Sequence, residues 1–382
     1  MHNLQLTEDQ EMVVDTVRKL VADAVTPKVQ ELDEHRGFAR EWFDALSELG
    51  VYGLSISEDN GGAGMGLLPY VAALESVGEQ SGSLSRLWIG QMQAAMALEA
   101  AGGDMLDEVA AGAKLAAFVG LEHGFAYADG ALQGAAKIVA AALEADVLIV
   151  AARDGDATVL VAVDGAACGR QELRTLGLNS AACGEVTCAG VTAKAIATGD
   201  AANAAIERAE LVAWLGVAAA AIGGGVGSIA ASKKHAGERI AFGKPLLVQQ
   251  AVQRKLVESG RAIEGARQLV WQAARVADLG QCAKETAIQA RIAAVDAMVL
   301  AADEAIQIHG GFGYTVEYHV ERHYRDAKMF EVMDGGSDAL RDQLAAMLHV
   351  HVQSRQQHRL TQVVSSTPRR LDVRRCRHRR AH

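Results

Sequence analysis

Residues that interrupt or cross-link a chain are scarce in this sequence of 382 residues. It contains only four prolines, which favours long helices because proline cannot continue a helix interior. Its five cysteines show no CxxC spacing and no accompanying histidine pattern. We therefore expect no metal site and no disulfide framework, and we expect a reducing compartment.

The sequence is also expected to lack long apolar segments, and its overall charge is not basic. The N-terminus lacks the continuous apolar stretch of a signal peptide, and we expect no window long and apolar enough to span a membrane. A cytoplasmic protein follows from these two expectations. The net charge of −10 argues against a nucleic-acid partner.

The end of the chain, residues 352–382, differs from the rest in charge. It holds nine arginines and has little apolar content to bury, so we expect a disordered basic tail. An end derived from a vector or from a shifted reading frame is the favoured interpretation of this tail. A nucleic-acid-binding arm is the alternative.

The full chain is 50% hydrophobic and long enough for two or three domains. Residues 1–115 have helical periodicity, beginning with a capping box formed by Thr7 and Gln10. Residues 116–200 contain short apolar runs broken by glycine and aspartate, which predict a small antiparallel β-domain. Residues 201–351 return to long alanine-rich helices.

The glycine run GGGVG at 223–227 is a candidate phosphate-binding loop. A dinucleotide fingerprint needs a strand before the glycines and a helix after them, whereas here the pattern predicts helix on both sides. We therefore interpret these glycines as small residues that let two helices approach closely.

Four motifs occur in a familiar order: LTEDQ near the start, ISEDNGGAGMG at 56–66, RIAFGKPLLVQQAVQ at 239–253 and QIHGGFGYTVEYHVERHYRDAK at 307–328. Together with the helical, β, helical order, they resemble the acyl-CoA dehydrogenase family of flavoproteins over residues 4–350. The resemblance implies an α+β, mainly α fold with an N-terminal helical domain, a small antiparallel β-domain and a C-terminal four-helix bundle. It also implies dimers or tetramers with FAD at a subunit interface.

Six residues match family positions that contact the FAD of a neighbouring subunit. Arg239 matches the arginine that reaches the pyrophosphate, and Phe242 and Gln250 match its companions in that motif. The element with Gln307, Gly310 and Gly311 matches one whose glycines let the backbone approach the cofactor closely. Taken alone, Arg239 would be a solvated surface residue, so the resemblance assigns its role.

Two segments that would hold this chain's own flavin depart from the family pattern. The family loop that contains T-E-P-G-[AS]-G-S-D appears here only as residues 121–130, LEHGFAYADG, shortened and lacking the serine. In AKIVAAA at 136–142, Ile138 and Ala140 replace the tryptophan and threonine that cover the flavin ring. Neither replacement can stack or donate a hydrogen bond comparably.

Asp334 falls on the catalytic glutamate of the family, within MDGGSD at 333–338. The α-proton of a thioester is weakly acidic, so its base must lie within hydrogen-bond reach. Aspartate is one methylene shorter than glutamate, and a misplacement near 1 Å can cost on the order of 10²-fold in rate. Gly336 replaces the family threonine, and a short acid before glycines would also suit a helix N-cap. The sequence therefore leaves two interpretations of Asp334 open, a catalytic base and a helix N-cap.

Some family members carry the base on an earlier helix. The matching position here is Ala213, followed by Trp214 where an arginine is common. We identify no substitute base at that position.

Three interpretations of function remain. The first is a working acyl-CoA dehydrogenase of fatty acid or sterol degradation, with Asp334 as a weak or reorganised base. It would use FAD, an acyl-CoA substrate and an electron-transfer flavoprotein as acceptor. The second is a non-catalytic half-site subunit of a heteromer, which completes the FAD site of another acyl-CoA dehydrogenase-like subunit. The third is a flavin oxidase of the nitroalkane type with Asp334 as its base.

Overall fold

The computed structural model describes residues 4–38 and 40–348, so the predicted basic tail lies outside the described residues. The helices are α1 (Glu8–Leu20), α2 (Val29–His35), α3 (Arg40–Glu48), α4 (Leu67–Gln80), α5 (Gly82–Ala101), α6 (Leu106–Ala110), α7 (Asp200–Glu238), α8 (Gln250–Asp278), α9 (Lys284–His309), α10 (Val320–Val332) and α11 (336–348). The strands are β1 (Ala116–Val119), β2 (Phe125–Ala128), β3 (Ala131–Val139), β4 (Val147–Asp154), β5 (Ala157–Asp164), β6 (Gly169–Glu172), β7 (Gly184–Thr192), β8 (Lys194–Thr198), β9 (Ile240–Ala241) and β10 (Lys244–Pro245).

This order confirms the α+β, mainly α fold, with helices at both ends and a sheet in the middle. The capping box at the start of α1 is present, since Thr7 and Gln10 each bond the other's backbone N–H through the side chain. The sheet begins at Ala116 and ends at Thr198, close to the predicted limits of 116 and 200. We propose these limits as domain boundaries.

The central sheet has the strand order β6-β7-β3-β2-β4-β5-β8, with β1 also paired to β4. The sequence predicts antiparallel pairing throughout, but β1 and β2 both run parallel to β4. They lie end to end along β4 because a short turn, Leu121–His123, leaves the sheet between them. This turn projects residues toward the cavity described below.

Helix α7 is the central element of the fold, packed against α4, α5, α8 and α9. It is 39 residues long, and residues 211–232 carry no charge. The expectation that no segment is long and apolar enough to span a membrane is therefore wrong. In its most apolar window, 89% of the residues are buried inside the protein, as in a core helix.

Glycines set the approach of α7 to α4. A β-carbon at Gly223 would overlap the carbonyl oxygen of Glu75, and one at Gly78 would overlap the backbone of Ala220. Because residues 223–227 lie within α7, with helix on both sides, the interpretation of GGGVG as a packing element is confirmed.

Helix α10 fixes the chain that leads to Asp334. From α10, Arg325 donates to Asp33 (Nη2–Oδ2, 2.5 Å) and to the carbonyl of Leu176 at 3.3 Å. On the same helix, Asp326 accepts the backbone N–H of Leu178 at 2.7 Å. These bonds hold α10 to both the N-terminal helices and the β-region.

Replacing Gly223 with alanine is expected to destabilise the protein by about 1–3 kcal/mol, because the added methyl group must push α4 and α7 apart. The matched control is Gly237→Ala near the end of the same helix, where an added β-carbon meets nothing within 4 Å. This control should be neutral or should stabilise by up to about 1 kcal/mol. Urea unfolding measures both, and equal effects of the two variants would contradict the packing role of Gly223.

Stability should depend on pH through Asp326. Burial raises the pKa of Asp326 to about 6, while Arg322 opposes the shift. An acid whose pKa rises on folding contributes stability that is present below its unfolded pKa of about 4 and is lost as pH rises through 6. Wild type should therefore lose on the order of 2–3 kcal/mol relative to Asp326→Asn between pH 4 and pH 7.

Unfolding free energies of wild type and Asp326→Asn, measured at each pH, give this difference directly. Asp156→Asn, in the exposed turn between β4 and β5, is the control and should follow wild type at every pH. A difference between wild type and Asp326→Asn that stays constant from pH 4 to pH 7 would disprove the assignment.

Candidate active site

A cavity of about 370 Å³ lies between α5, α7, the turn after β1, strand β3 and the segment that joins α10 to α11. Its ionisable lining residues come from separate parts of the chain: Arg86, Glu122, His123, Lys137, Glu210 and Asp334. Tertiary packing therefore collects three carboxylates and two permanent cations at one site.

The chain reverses direction between α10 and α11 through three consecutive residues with left-handed backbone. Asp334, Gly335 and Gly336 have φ angles of 52°, 81° and 76°. Glycine adopts this region freely, and aspartate adopts it more readily than most other residues. The buried side chain of Arg291 on α9 donates to the carbonyl of Met333 at 2.6 Å, which fastens this turn to the core.

The carboxylate of Asp334 is held by a buried arginine. Its Oδ1 accepts from Nη2 of Arg86 at 2.8 Å, and Nη1 of Arg86 donates to Gln93 Oε1 at 3.1 Å. The other oxygen, Oδ2, is buried and has no hydrogen-bond partner in the described part of the chain. No backbone N–H of α11 bonds this carboxylate within residues 4–348, so the helix-cap interpretation is wrong.

The two segments that depart from the family pattern form one wall of the cavity. Ile138 lines it from β3, next to Lys137, with 38% of its surface exposed. Ala140 is buried just beyond the end of β3. Leu121 and Glu122 line the cavity from the turn that leaves the sheet. This wall is aliphatic and charged, with no aromatic side chain at position 138.

Helix α7 supplies a carboxylate that the sequence motifs did not indicate. Ala213 and Trp214 line the cavity, and so does Glu210, one helical turn earlier on the same face. Burial raises the pKa of Glu210, and the nearby charge of Lys284 opposes this shift. The available signal in the sequence was the spacing of Glu210 from Ala213 and Trp214, because residues three and four positions apart lie on the same face of a helix.

Four of the six predicted cofactor residues meet at a second cavity, of about 390 Å³. Arg239, Gln307, Gly310 and Gly311 line it where α7 and α9 end. The side chains of Arg239 and Gln307 form no hydrogen bond or ion pair with the described residues, 4–38 and 40–348.

This second cavity fits an anionic group such as the pyrophosphate of FAD. Gly310 has a φ of 62°, and β-carbons at Gly310 and Gly311 would meet nothing within 4 Å, so both backbones face open space. Arg239 offers a charged planar donor that suits phosphate oxygens, and Gln307 offers an amide donor. These four residues would hold the phosphates.

The other two predicted residues lie beside this cavity. Phe242 stands at the tip of the β9–β10 hairpin with a φ of 54° and 96% of its surface exposed. Gln250 begins α8 and lines an adjoining groove with Arg254 and Glu304.

Two family models match the chain. The acyl-CoA dehydrogenase N-terminal domain matches residues 7–108, and the acyl-CoA dehydrogenase C-terminal domain matches residues 204–349. The chain belongs to the acyl-CoA dehydrogenase family. The two matched ranges flank the central sheet.

Similar proteins support this membership. The chain is 28% identical over 380 residues to the probable acyl-CoA dehydrogenase YngJ of Bacillus subtilis, covering 91% of this chain and 99% of the relative. It is 38% identical over 134 residues to the mitochondrial short-chain specific acyl-CoA dehydrogenase of Homo sapiens, covering 35% and 32% of the two chains.

Solved structures show the same fold. Butyryl-CoA dehydrogenase from Megasphaera elsdenii matches with a TM-score of 0.84 and 24% identity, covering 91% of this chain and 100% of that chain. Glutaryl-CoA dehydrogenase from Mycobacterium smegmatis in complex with FADH2 matches with a TM-score of 0.82 and 21% identity, covering 90% and 95%.

The buried pair of Arg86 and Asp334 should be coupled in stability. Asp334→Asn keeps the shape of the side chain but leaves the cation of Arg86, 5% exposed, without its carboxylate. A double-mutant cycle with Arg86→Gln is expected to give a coupling free energy of about 1–3 kcal/mol. Urea unfolding of the four proteins measures it.

The exposed pair of Arg18 and Asp15 is the matched control for this cycle. Its side chains are 62% and 70% exposed, and its coupling should not exceed about 0.5 kcal/mol. Equal coupling in the two cycles would show that Arg86 does not hold Asp334 in solution.

Proposed function

We propose that this protein is a FAD-dependent acyl-CoA dehydrogenase that oxidises the Cα–Cβ bond of an acyl-CoA thioester. The observation that carries the proposal is the 370 Å³ cavity with Asp334, at the position of the family's catalytic carboxylate, on its wall. Family membership supports an oxidoreductase that acts on CH–CH groups.

The chemistry needs a carboxylate near the substrate and a hydride acceptor. FAD, when bound, supplies the hydride acceptor, which no side chain can replace. This chain supplies carboxylates on the cavity wall to take the α-proton, and Oδ2 of Asp334 is not engaged by any described residue. Arg86 binds the carboxylate of Asp334 and Arg291 binds the carbonyl of Met333, and together they fix the position of Asp334 on the cavity wall.

We propose that Arg239, Gln307, Gly310 and Gly311 hold the pyrophosphate of FAD bound mainly to a neighbouring protomer. Glu210 and Arg239 are 29 positions apart along α7, which corresponds to roughly 40 Å of helix. This separation favours a cofactor shared between protomers over one that touches both cavities of a single chain.

Exposed apolar side chains beside the second cavity support a homo-oligomer. Ile240, Phe242, Phe312 and Tyr314 are 57%, 96%, 46% and 87% exposed. Exposed apolar side chains of this size suit burial against another subunit. An electron-transfer flavoprotein is the acceptor that we propose, with the cytoplasm as the compartment.

A second candidate function is favoured by the contrast between the two cavities. The second cavity keeps all four of its matching residues, whereas the first has Ile138 and the short 121–130 segment where the family covers its flavin. In this alternative, the chain is the half-site subunit of a heteromer and completes the FAD site of its partner without dehydrogenating a substrate itself.

Flavin content and reactivity separate the candidates. The chain purified alone should bind one FAD per chain, and anaerobic addition of acyl-CoAs of graded length, beginning with butyryl-CoA, should bleach the flavin. Flavin retained only in a mixture with a second dehydrogenase-like subunit, at one FAD per two chains, would favour the half-site subunit. A yellow protein that reacts with a nitroalkane but with no acyl-CoA would identify a nitroalkane-type oxidase. If no preparation retains flavin, the proposed function fails.

Arg239→Gln should weaken FAD binding by about 10- to 100-fold, the loss expected when a charge-assisted hydrogen bond to phosphate is removed. Arg261→Gln is the matched control, because Arg261 is 72% exposed and pairs with Glu258 on its own helix. Equilibrium titration of the apoprotein with FAD measures both. Equal FAD affinities of the two variants would show that Arg239 does not bind the cofactor.

A further inference from the structure

Glu210 is the carboxylate of the first cavity that the family motifs do not assign. It lies on the face of α7 that also presents Ala213 and Trp214 to the cavity. It therefore lines the same cavity as Asp334, although the two residues are 124 positions apart in the sequence.

The two carboxylates differ in their freedom to act. Oδ1 of Asp334 is bound to Arg86, and the backbone of Asp334 belongs to a turn that Arg291 fastens. Glu210, by contrast, makes no hydrogen bond and no ion pair within 4 Å to any residue that the structure describes. Its side chain is also one methylene longer, so Glu210 can move toward a bound substrate without losing an existing contact.

The charges around Glu210 favour a proton acceptor. Burial is the main cause of its raised pKa, Glu122 and Glu207 raise it further, and Lys284 lowers it. The other charged or titratable groups on the walls of this cavity are Arg86, His123, Lys137 and Asp334. A carboxyl group whose pKa lies closer to neutrality is better matched to accept and release a proton near pH 7.

We propose that Glu210 accepts the α-proton of the acyl-CoA, and that Asp334 acts as a positioning residue together with Arg86. This inference rests on the proposed function. The Cα–H bond breaks, its proton passes to a carboxylate oxygen of Glu210, and its electron pair forms the Cα–Cβ double bond. FAD, when bound, would accept the β-hydrogen with its electron pair, and Glu210 would then release its proton to solvent.

The test compares Glu210→Gln, Asp334→Asn and the control Asp156→Asn, which changes an exposed aspartate in the turn between β4 and β5, outside the cavity. Two rates are measured anaerobically: flavin bleaching by acyl-CoA, and incorporation of deuterium from D₂O at the α-carbon. Glu210→Gln should lower both rates by about 10²-fold or more at unchanged FAD content. Asp334→Asn should lower them less, and Asp156→Asn should match wild type.

The pH profile provides a second readout. The wild-type rate should rise with pH through the raised pKa of Glu210 and level off above it, because only the carboxylate accepts a proton. This rise should persist in Asp334→Asn and disappear in Glu210→Gln. In the apoprotein, wild type should lose stability relative to Glu210→Gln as pH rises through the same pKa. This stability measurement needs no bound flavin.

The outcomes distinguish this inference from the proposed function. If Glu210→Gln keeps both rates within about twofold of wild type while Asp334→Asn abolishes them, Asp334 is the base and only this inference is overturned. If wild type binds flavin yet neither bleaches nor exchanges an α-proton with any acyl-CoA, the proposed function falls and this inference with it. Partial recovery of activity in Glu210→Asp, which restores a carboxylate, would support the inference against a merely structural role.

Discussion

The close packing of α7 against its neighbours is the constraint on which the rest of the structure depends. Glycines at positions 78 and 223 remove the side chains that would otherwise keep α4 and α7 apart. With α7 fixed at this distance, its third and fourth turns reach the 370 Å³ cavity and its last turn reaches the second one. One helix thus determines where both candidate parts of the site lie.

Two buried arginines fix the segment that joins α10 to α11. Arg86 and Arg291 come from α5 and α9, and both bind the short segment at Met333 and Asp334. Each guanidinium is removed from water, so it needs polar partners inside the protein. The turn supplies those partners as a carboxylate and a carbonyl, which is why a left-handed backbone at Asp334 is maintained.

The same arrangement gives Asp334 and Glu210 different surroundings within the cavity, and so different roles. Arg86 holds the carboxylate of Asp334 in place, whereas Glu210 has no hydrogen-bond partner among the described residues and is free to move and to exchange a proton. Both residues line the same cavity. A family motif indicates only the restrained acid, because a motif records position along the chain and not the local surroundings.

The sequence by itself determined the order of helices and sheet, the capping box at Thr7, the packing role of the glycines at 223–227 and the grouping of Gln307, Gly310 and Gly311. These features depend on neighbours along the chain, so local patterns contain them. Only the tertiary structure decided the parallel pairing of β1 and β2 with β4, the partner of Asp334 and the place of Glu210. Arg86 and Asp334 are 248 residues apart, and such contacts follow from the directions in which whole elements pack, which no local pattern records.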